Sequence, residues 1–572
     1  MAADGPIAWE SDEKLIIALD FGTTFSGIAY CFANQRDAKV AAVVDWPGAE
    51  GDAAPKIPTL INYSADGKDF TWGASVDKMQ DNIVGVKLLL DPSQERPLYL
   101  PMLNYKRTLK NLPKPPVAIA ADFIGAVYNH ALVEIAKVVP KNYFALCQKH
   151  FVLSVPAVWS DKAKNATMEA AKMAGIFPVS LIKEPEAAAL YTMHSLDFSL
   201  NVGDAFVVCD AGGGTVDLIS YEVVALSPRL ELKELVPGTG GMAGSLGLNQ
   251  RFEEAVKSLV GDDQYAELRK TKGYALALKS FDREVKRAFR GGEEDEYFVN
   301  FPMASLEDDP EAGLEENCWR LTGKELKDLF APLITDILRL IQDQVNSVKI
   351  KRQNNGVTGI FLVGGFGSSA YLKSKVGTQH PGVQVLQPTD AWAAIVKGAA
   401  LSQLPRQATV VATSATKHYG TKARSVYDSV IDAGVPKTVD PYDGRLRASR
   451  MTWFINMGDD ILRDQKIKFP FFRSIDENYE PNDLLFTNML YECADPNAPI
   501  HYSKGDKIGI NCKVQTDLRS ISDDRFKERR AIDGRPYYEV HYDLVITLKS
   551  ALMTFSLEMD GKPMGSVEAS FN

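Results

Sequence analysis

Two short segments of the chain combine residue types that can bind phosphate. Asp20-Phe-Gly-Thr-Thr-Phe-Ser-Gly27 and Asp210-Ala-Gly-Gly-Gly-Thr-Val-Asp217 each put an acid at the end of an apolar run and then turn through glycine into hydroxyl side chains. Such a turn exposes backbone N–H groups to phosphate oxygens, adds hydroxyl donors, and keeps a carboxylate in reach of a metal. One Asp-Gly turn after a strand is ordinarily only a turn. A matching pair is a stronger signal, because two such loops face to face could hold the β- and γ-phosphates of a nucleotide, with Asp20 and Asp210 aimed through water at one Mg²⁺. A third turn, Val363-Gly364-Gly365-Phe366-Gly367, lacks Cβ atoms where backbone would approach a nucleoside.

The elements that must position these turns are legible around them. Leu15–Leu19, Ala205–Cys209 and Ile360–Val363 are apolar runs that open directly into the three turns, as buried strands do. Between them lie helical stretches. Ser160-Asp161 is placed to cap a helix that runs through Ala174 and ends at Gly175, and Thr322 opens another with Leu326, Leu329, Phe330, Leu333, Ile334 and Ile337 at helical spacing. The alternation predicts an α/β domain over residues 15–404, preceded by a tail at 1–14.

Residues 405–416, rich in Ala, Thr and Ser with no helical period, read as a linker. Residues 417–572 read as a β-rich domain of antiparallel sheet. Val540, Tyr542, Leu544, Ile546 and Leu548 alternate with mostly polar neighbours, Ile508, Ile510, Cys512 and Val514 repeat the pattern, and Asp560-Gly561 supplies a hairpin turn. Lys466-Ile-Lys-Phe-Pro-Phe-Phe-Arg473 suits an edge strand guarded by charge better than a client-binding strip.

Composition narrows the class. The chain has 572 residues, 45% hydrophobic and 24% charged, which is the balance of a globular protein of several domains. A net charge of −10 argues against a general nucleic-acid binder. Cys31, Cys147, Cys209, Cys318, Cys493 and Cys512 lie far apart without metal-ligand spacing, so neither a disulfide framework nor a zinc site is expected, and a reducing compartment is. The N-terminus lacks the pattern of a signal peptide and no run approaches the ~18 apolar residues that span a bilayer. The expectation is a cytoplasmic or nuclear protein with no membrane span, monomeric, and no nucleic-acid partner.

The three loops, in this order, resemble the actin, sugar kinase and 70-kDa heat-shock ATPase superfamily, and most closely the 70-kDa heat-shock chaperones. Ser154-Val-Pro-Ala157, Ile182-Lys-Glu-Pro-Glu-Ala-Ala-Ala189 and Pro388-Thr-Asp-Ala391 are similar to further signatures of that family. The resemblance implies a two-lobed actin-like ATPase fold of duplicated ribonuclease-H-like cores over 15–404, followed by the smaller β-rich domain, which resembles the family's substrate-binding sheet only weakly. It implies ATP or ADP with Mg²⁺ as ligands. Asp20 and Asp210 then match the residues that organise the hydrated metal; Gly22, Thr23 and Thr24 match the first phosphate loop, and Gly212, Gly213, Gly214 and Thr215 the second. Glu184 matches the glutamate at the hinge between lobes, Asp217 a carboxylate near the attacking water, and Lys87 the lysine that contacts the γ-phosphate or the nucleophile. Gly244, Lys286, Arg287, Gly364, Gly365, Phe366 and Asp390 are the further nucleotide-binding positions that the resemblance implies, with Lys286-Arg287 similar to the family's adenine-contacting helix.

Two departures set this chain apart. The common members carry Ser-Thr-Arg after the two glycines, with the guanidinium stacked on adenine; here Phe366-Gly367-Ser368 stands instead, and Phe366 either stacks in its place or fills core. Arg283 falls where a glutamate is usual. With intact phosphate loops, Gly-Gly-Phe in the third loop and no helical lid, the pattern resembles the divergent heat shock 70 kDa protein 12-like branch. The implied activity is weak Mg²⁺-dependent ATP hydrolysis, with lobe closure read by the β domain, and the implied partners are unfolded protein segments and cochaperones. The rival readings are a nucleotide-gated scaffold that does not hydrolyse and a sugar-kinase-like phosphotransferase.

Overall fold

In a computed structural model the structure describes residues 12–35, 38–77, 82–91, 112–195, 200–404, 408–502, 507–564 and 566–571. Most of the expected tail at 1–14, residues 405–407 of the expected linker and the final Asn572 lie outside the described residues. The chain divides into two compact units, one formed by Met1–Trp159, Ala166–Leu232 and Gly238–Thr409, the other by Ser160–Asn165, Lys233–Pro237 and Val410–Asn572.

The first unit contains two sheets built on one plan. In the first sheet Lys14–Asp20 pairs antiparallel with Phe25–Phe32, so that Asp20 faces Gly27, and pairs parallel with Gln148–Val155, which in turn pairs parallel with Val179–Lys183. In the second sheet Ala205–Ala211 pairs antiparallel with Val216–Ala225, placing Asp210 opposite Asp217, and parallel with Gly359–Val363, which continues to Gln384–Leu386. Both leading strands are apolar almost throughout because parallel neighbours and covering helices bury both of their faces. The acid at the C-terminal end of each strand, the last residue in one and the last but one in the other, therefore stands where the hairpin turns. This is the α/β core with a duplicated plan that the sequence called for.

Helices lock these sheets in place. Glu184–Ser195 and Ala394–Leu401 pack so closely that a Cβ at Gly398 would run into the backbone of Ala187. Gly323–Lys351 starts at a capping box, Thr322 and Glu325 each bonding the other's backbone N–H, and buries Leu326, Leu329, Phe330, Leu333, Ile334 and Ile337. Gly175, at φ +78, stands just past the helix Asp161–Met173, as expected of a glycine cap.

Pro116–Lys137 is a helix long and apolar enough to cross a membrane by length and composition only, a test that a buried core helix also passes. Asp122, His130 and Glu134 interrupt it in sequence, which hides the run. In the structure Ile119, Phe123, Ile124, Val127, Ala131 and Ile135 are buried in the first unit's core.

From Val410 on, the second unit is built mainly of β-strands. One antiparallel sheet follows the order Lys437–Val439, Leu446–Ile455, His418–Val426, Leu485–Cys493, Ile508–Asp517, Ser566–Phe571; the other runs Lys466–Asp476, Pro536–Lys549, Leu552–Met559, Lys562–Pro563. Ile455, Phe469, Leu490, Cys512, Val514, Leu544 and Ile546 form a shared core. Asp560 and Gly561, both at positive φ, make the two-residue turn the sequence announced. Lys466–Asp476 is an outer strand of its sheet. Within the stretch read as linker, Thr409–Ser414 is a strand. Ile510 departs from the expected alternation: a β-bulge between Leu490 and Tyr491 shifts the register, turning Ile510 outward while Asn511 and Cys512 are buried.

Candidate functional site

A cavity of about 910 Å³ in the first unit gathers most of the chemistry-bearing residues, and its size suits a nucleotide-sized ligand. Asp20, Gly22, Thr23, Thr24, Lys87, Glu184, Asp210, Gly212, Gly213, Gly214, Thr215, Lys286, Arg287, Gly364, Gly365, Phe366 and Asp390 all line it. Asp217 and Gly244 do not, although each supports a loop that does.

The first loop is held by a hydroxyl network. Gly22 N–H donates to Ser26 Oγ at 3.2 Å, Thr59 Oγ1 donates to the Gly22 carbonyl at 2.8 Å, and the two hydroxyls lie 2.8 Å apart. The second loop closes on itself, Gly212 N–H donating to the Thr215 carbonyl at 2.9 Å, and its outward carbonyls accept from Ser245 and Leu246 at 3.1 and 2.9 Å. Gly244 underlies this loop, with no room for a Cβ beside the Gly213 and Gly214 backbone. The two loops meet: a Cβ at Gly213 would overlap the Thr24 side chain. Gly364, at φ +84, brings the third loop against Asp210 and the Ala211 carbonyl, an approach that only glycine permits.

Four buried carboxylates, Asp20, Glu184, Asp210 and Asp217, share this region with two buried lysines. Lys87 is paired with Glu184, and its ammonium stands 5.4 Å from the Trp159 ring centre. Lys56, which sequence reasoning missed, pairs with Asp20 Oδ2 at 2.6 Å, while Ser154 Oγ donates to Asp20 Oδ1 at 2.9 Å. Thr215 Oγ1 donates to Asp217 Oδ2 at 3.1 Å.

The titration pattern follows from this crowding. Burial pushes Asp20 up, but Lys56 and Lys87 outweigh it and hold the carboxyl below its ordinary range. Burial pushes Glu184 up to about 7, Lys87 opposing and Asp20 and Asp217 adding to the rise. Asp210 is raised well above the usual carboxylate range by burial and by the charges of Glu184 and Asp217. Asp217 rises through burial, against the pull of Lys87 and Thr215.

This donor set fits a hydrated divalent cation. Two ammonium groups do not balance four carboxylates, and Asp210 Oδ1 and Asp217 Oδ1 are buried without a hydrogen-bond partner. Among the described residues no three His, Cys, Asp or Glu converge as a direct ligand set, so such an ion would be held through water. The fit is better on the Asp210 side than on the Asp20 side, where Ser154 and Lys56 engage both carboxylate oxygens.

The opposite end of the cavity is aromatic and basic. A π-helical turn, Phe281–Val285, leads into Lys286 and Arg287. Lys286 is tied down by Asp282 at 2.6 Å, Asn249 at 2.9 Å and the Ser245 carbonyl at 3.2 Å. Burial holds its pKa below the ordinary lysine value, against the Asp282 charge. Arg287 lies over the Trp392 ring at 5.7 Å, and Phe25 meets the same indole edge-on at 5.5 Å. Phe366 is only 4% exposed and packs 6.1 Å from Phe330, so most of its ring serves the core. Trp392 was the second residue missed; it directly follows the Pro388–Ala391 motif, and its aromatic type was the available signal.

The chain matches the family model described as "Hsp70 protein" over residues 124–403. It is 26% identical to heat shock 70 kDa protein 12B of Homo sapiens over 486 residues, covering 68% of each chain. It is 25% identical to heat shock 70 kDa protein 12A of Mus musculus over 489 residues, 69% of this chain and 70% of that protein. To a chaperone protein HscA homolog of Vibrio cholerae serotype O1 it is 25% identical over 400 residues, 66% of this chain and 56% of that protein.

Proposed function

We propose that the chain is an Hsp70-family protein of the heat shock 70 kDa protein 12-like branch, a chaperone-like protein that binds ATP and ADP in the 910 Å³ cavity and hydrolyses ATP slowly. The observation that carries this reading is the meeting of Gly212–Thr215 with Gly22–Thr24 on one cavity wall. Their backbone N–H groups and threonine hydroxyls are placed to take the oxygens of a polyphosphate. Asp210 and Asp20 would hold a hydrated magnesium ion, which when bound neutralises charge on the phosphates.

In hydrolysis a water oxygen bonds to the γ-phosphorus while the bond to the β–γ bridging oxygen breaks, giving ADP and phosphate. Asp217 or Thr215 orders that water; Lys87 and the loop amides stabilise charge as it develops. Glu184, at the start of its helix, holds Lys87 in position. At the nucleoside end Arg287 and Trp392 offer the base a stacking surface, in place of Phe366. Nucleotide state would bias closure of the ATPase lobes, the β unit would read that state, and unfolded segments would be its clients.

The test is to titrate ATP and ADP with magnesium and follow phosphate release, with and without an unfolded peptide, for wild type and Asp210→Ala. Binding with slow release that Asp210→Ala abolishes supports the proposal; no binding removes it. Tight binding without release supports the scaffold reading, which the pairing of Lys56 with Asp20 favours.

A further inference from the structure

Lys56 is a buried cation at the phosphate end of the cavity. It is 8% exposed, lines the cavity beside Gly22–Thr24 and Asp210, and bonds Asp20 Oδ2 at 2.6 Å. Burying an ammonium group is unfavourable unless a compensating charge stays with it. Asp20 is that charge, yet Asp20 is also the carboxylate that would accept from a metal-bound water on the first-loop side. Both of its oxygens are engaged, Oδ1 by Ser154 and Oδ2 by Lys56. On the second-loop side the situation is reversed: Asp210 Oδ1 is buried with no hydrogen-bond partner. One half of the site thus carries its own cation and the other half has spare negative charge.

Resting on the nucleotide reading above, we propose that Lys56 is a resident phosphate-site cation that substitutes for part of the divalent metal's charge. An ammonium group has three N–H donors, and the bond to Asp20 uses one, so the others can turn to β- and γ-phosphate oxygens entering beside the first loop. With Lys87 it puts two buried positive charges at the polyphosphate end before any metal is added. The consequence is a nucleotide site whose affinity depends weakly on magnesium.

Equilibrium binding of ADP and ATP to the full-length protein, in magnesium and again in a chelator, tests this. Wild type should lose less than about tenfold in affinity when metal is removed, whereas Lys56→Met should lose about a hundredfold. Lys56→Arg, which keeps the charge, should recover most of the difference. Thermal melts of each variant separate a binding effect from unfolding, and the arginine variant keeps the test decisive if the methionine variant does not fold. Equal loss on chelation in wild type and in the charge-removed variant, or in wild type and Lys56→Arg when both fall a hundredfold or more, overturns the proposal. Absence of binding by wild type even with magnesium overturns the nucleotide reading itself, and this proposal with it.

Discussion

Gly213 stands against Thr24, so close that a single added methyl group would overlap the threonine's Oγ1 and Cγ2. These residues come from equivalent hairpins of two different sheets, and their contact brings the two loops together on one cavity. Gly213→Ala should therefore push the loops apart. The expected outcome is a fall in ATP and ADP affinity of about tenfold or more with little change in melting temperature, measured by calorimetric titration beside a thermal scan. Unchanged affinity would mean that the loops do not share a ligand.

Trp392 and Phe366 make a contrasting pair. Trp392 is partly exposed to the cavity beneath Arg287, while Phe366 packs on Phe330. Base–aromatic stacking is worth about 1–3 kcal/mol. Trp392→Ala should weaken adenine-nucleotide binding by that amount and abolish any change in tryptophan fluorescence that accompanies it. Phe366→Leu should leave affinity nearly intact and lower the melting temperature instead. The reverse pattern would assign the base to Phe366.

Gly398 tests the helix packing behind the site. Its lack of a Cβ lets Ala394–Leu401 lie directly on the Ala187 backbone, one turn from Glu184. Gly398→Ala should destabilise the first unit by about 1–3 kcal/mol through overpacking. Urea unfolding followed by circular dichroism measures it, and a neutral result would show that the helices can separate without penalty.

The second unit should be sensitive to acid. Asp432 is fully buried and accepts from Arg450 at 2.7 and 2.6 Å, from His501 at 2.9 Å, and from the Asp428 N–H. Hydrogen bonds from Arg450 lead the causes that hold its carboxyl well below the usual range. Because the folded-state value lies below the unfolded one, the stabilisation is complete above the unfolded carboxylate's range and drains away as pH falls from there toward the lower folded-state value. Melts of the full chain between pH 7 and pH 3 should show the β unit's transition falling on acidification, and Asp432→Asn should flatten that dependence while lowering stability at neutral pH.

What could be read in the sequence was what is local in it. The three glycine turns announce themselves because an acid, glycines and hydroxyls must follow a strand within a few residues to present N–H groups to phosphate. The helix from Gly323 shows its period, and Asp560-Gly561 its turn, for the same reason. Lys56 gave no such sign: it is joined to Asp20 only by the way the chain folds back across 36 positions. Trp392 acquires its meaning from Arg287, which arrives from a different helix. Ile510 was misjudged because a bulge inserts one residue into a strand without marking the alternation. Asp122, His130 and Glu134 concealed an apolar helix by supplying polar residues within it.

The most direct measurement is a crystal structure of the protein with magnesium and a non-hydrolysable ATP analogue. The triphosphate should lie between Gly22–Thr24 and Gly212–Thr215, with Asp210 facing the hydrated metal and Lys56 within hydrogen-bond distance of a phosphate oxygen. A nucleotide bound elsewhere, or one that leaves these two loops uncontacted, would contradict that placement.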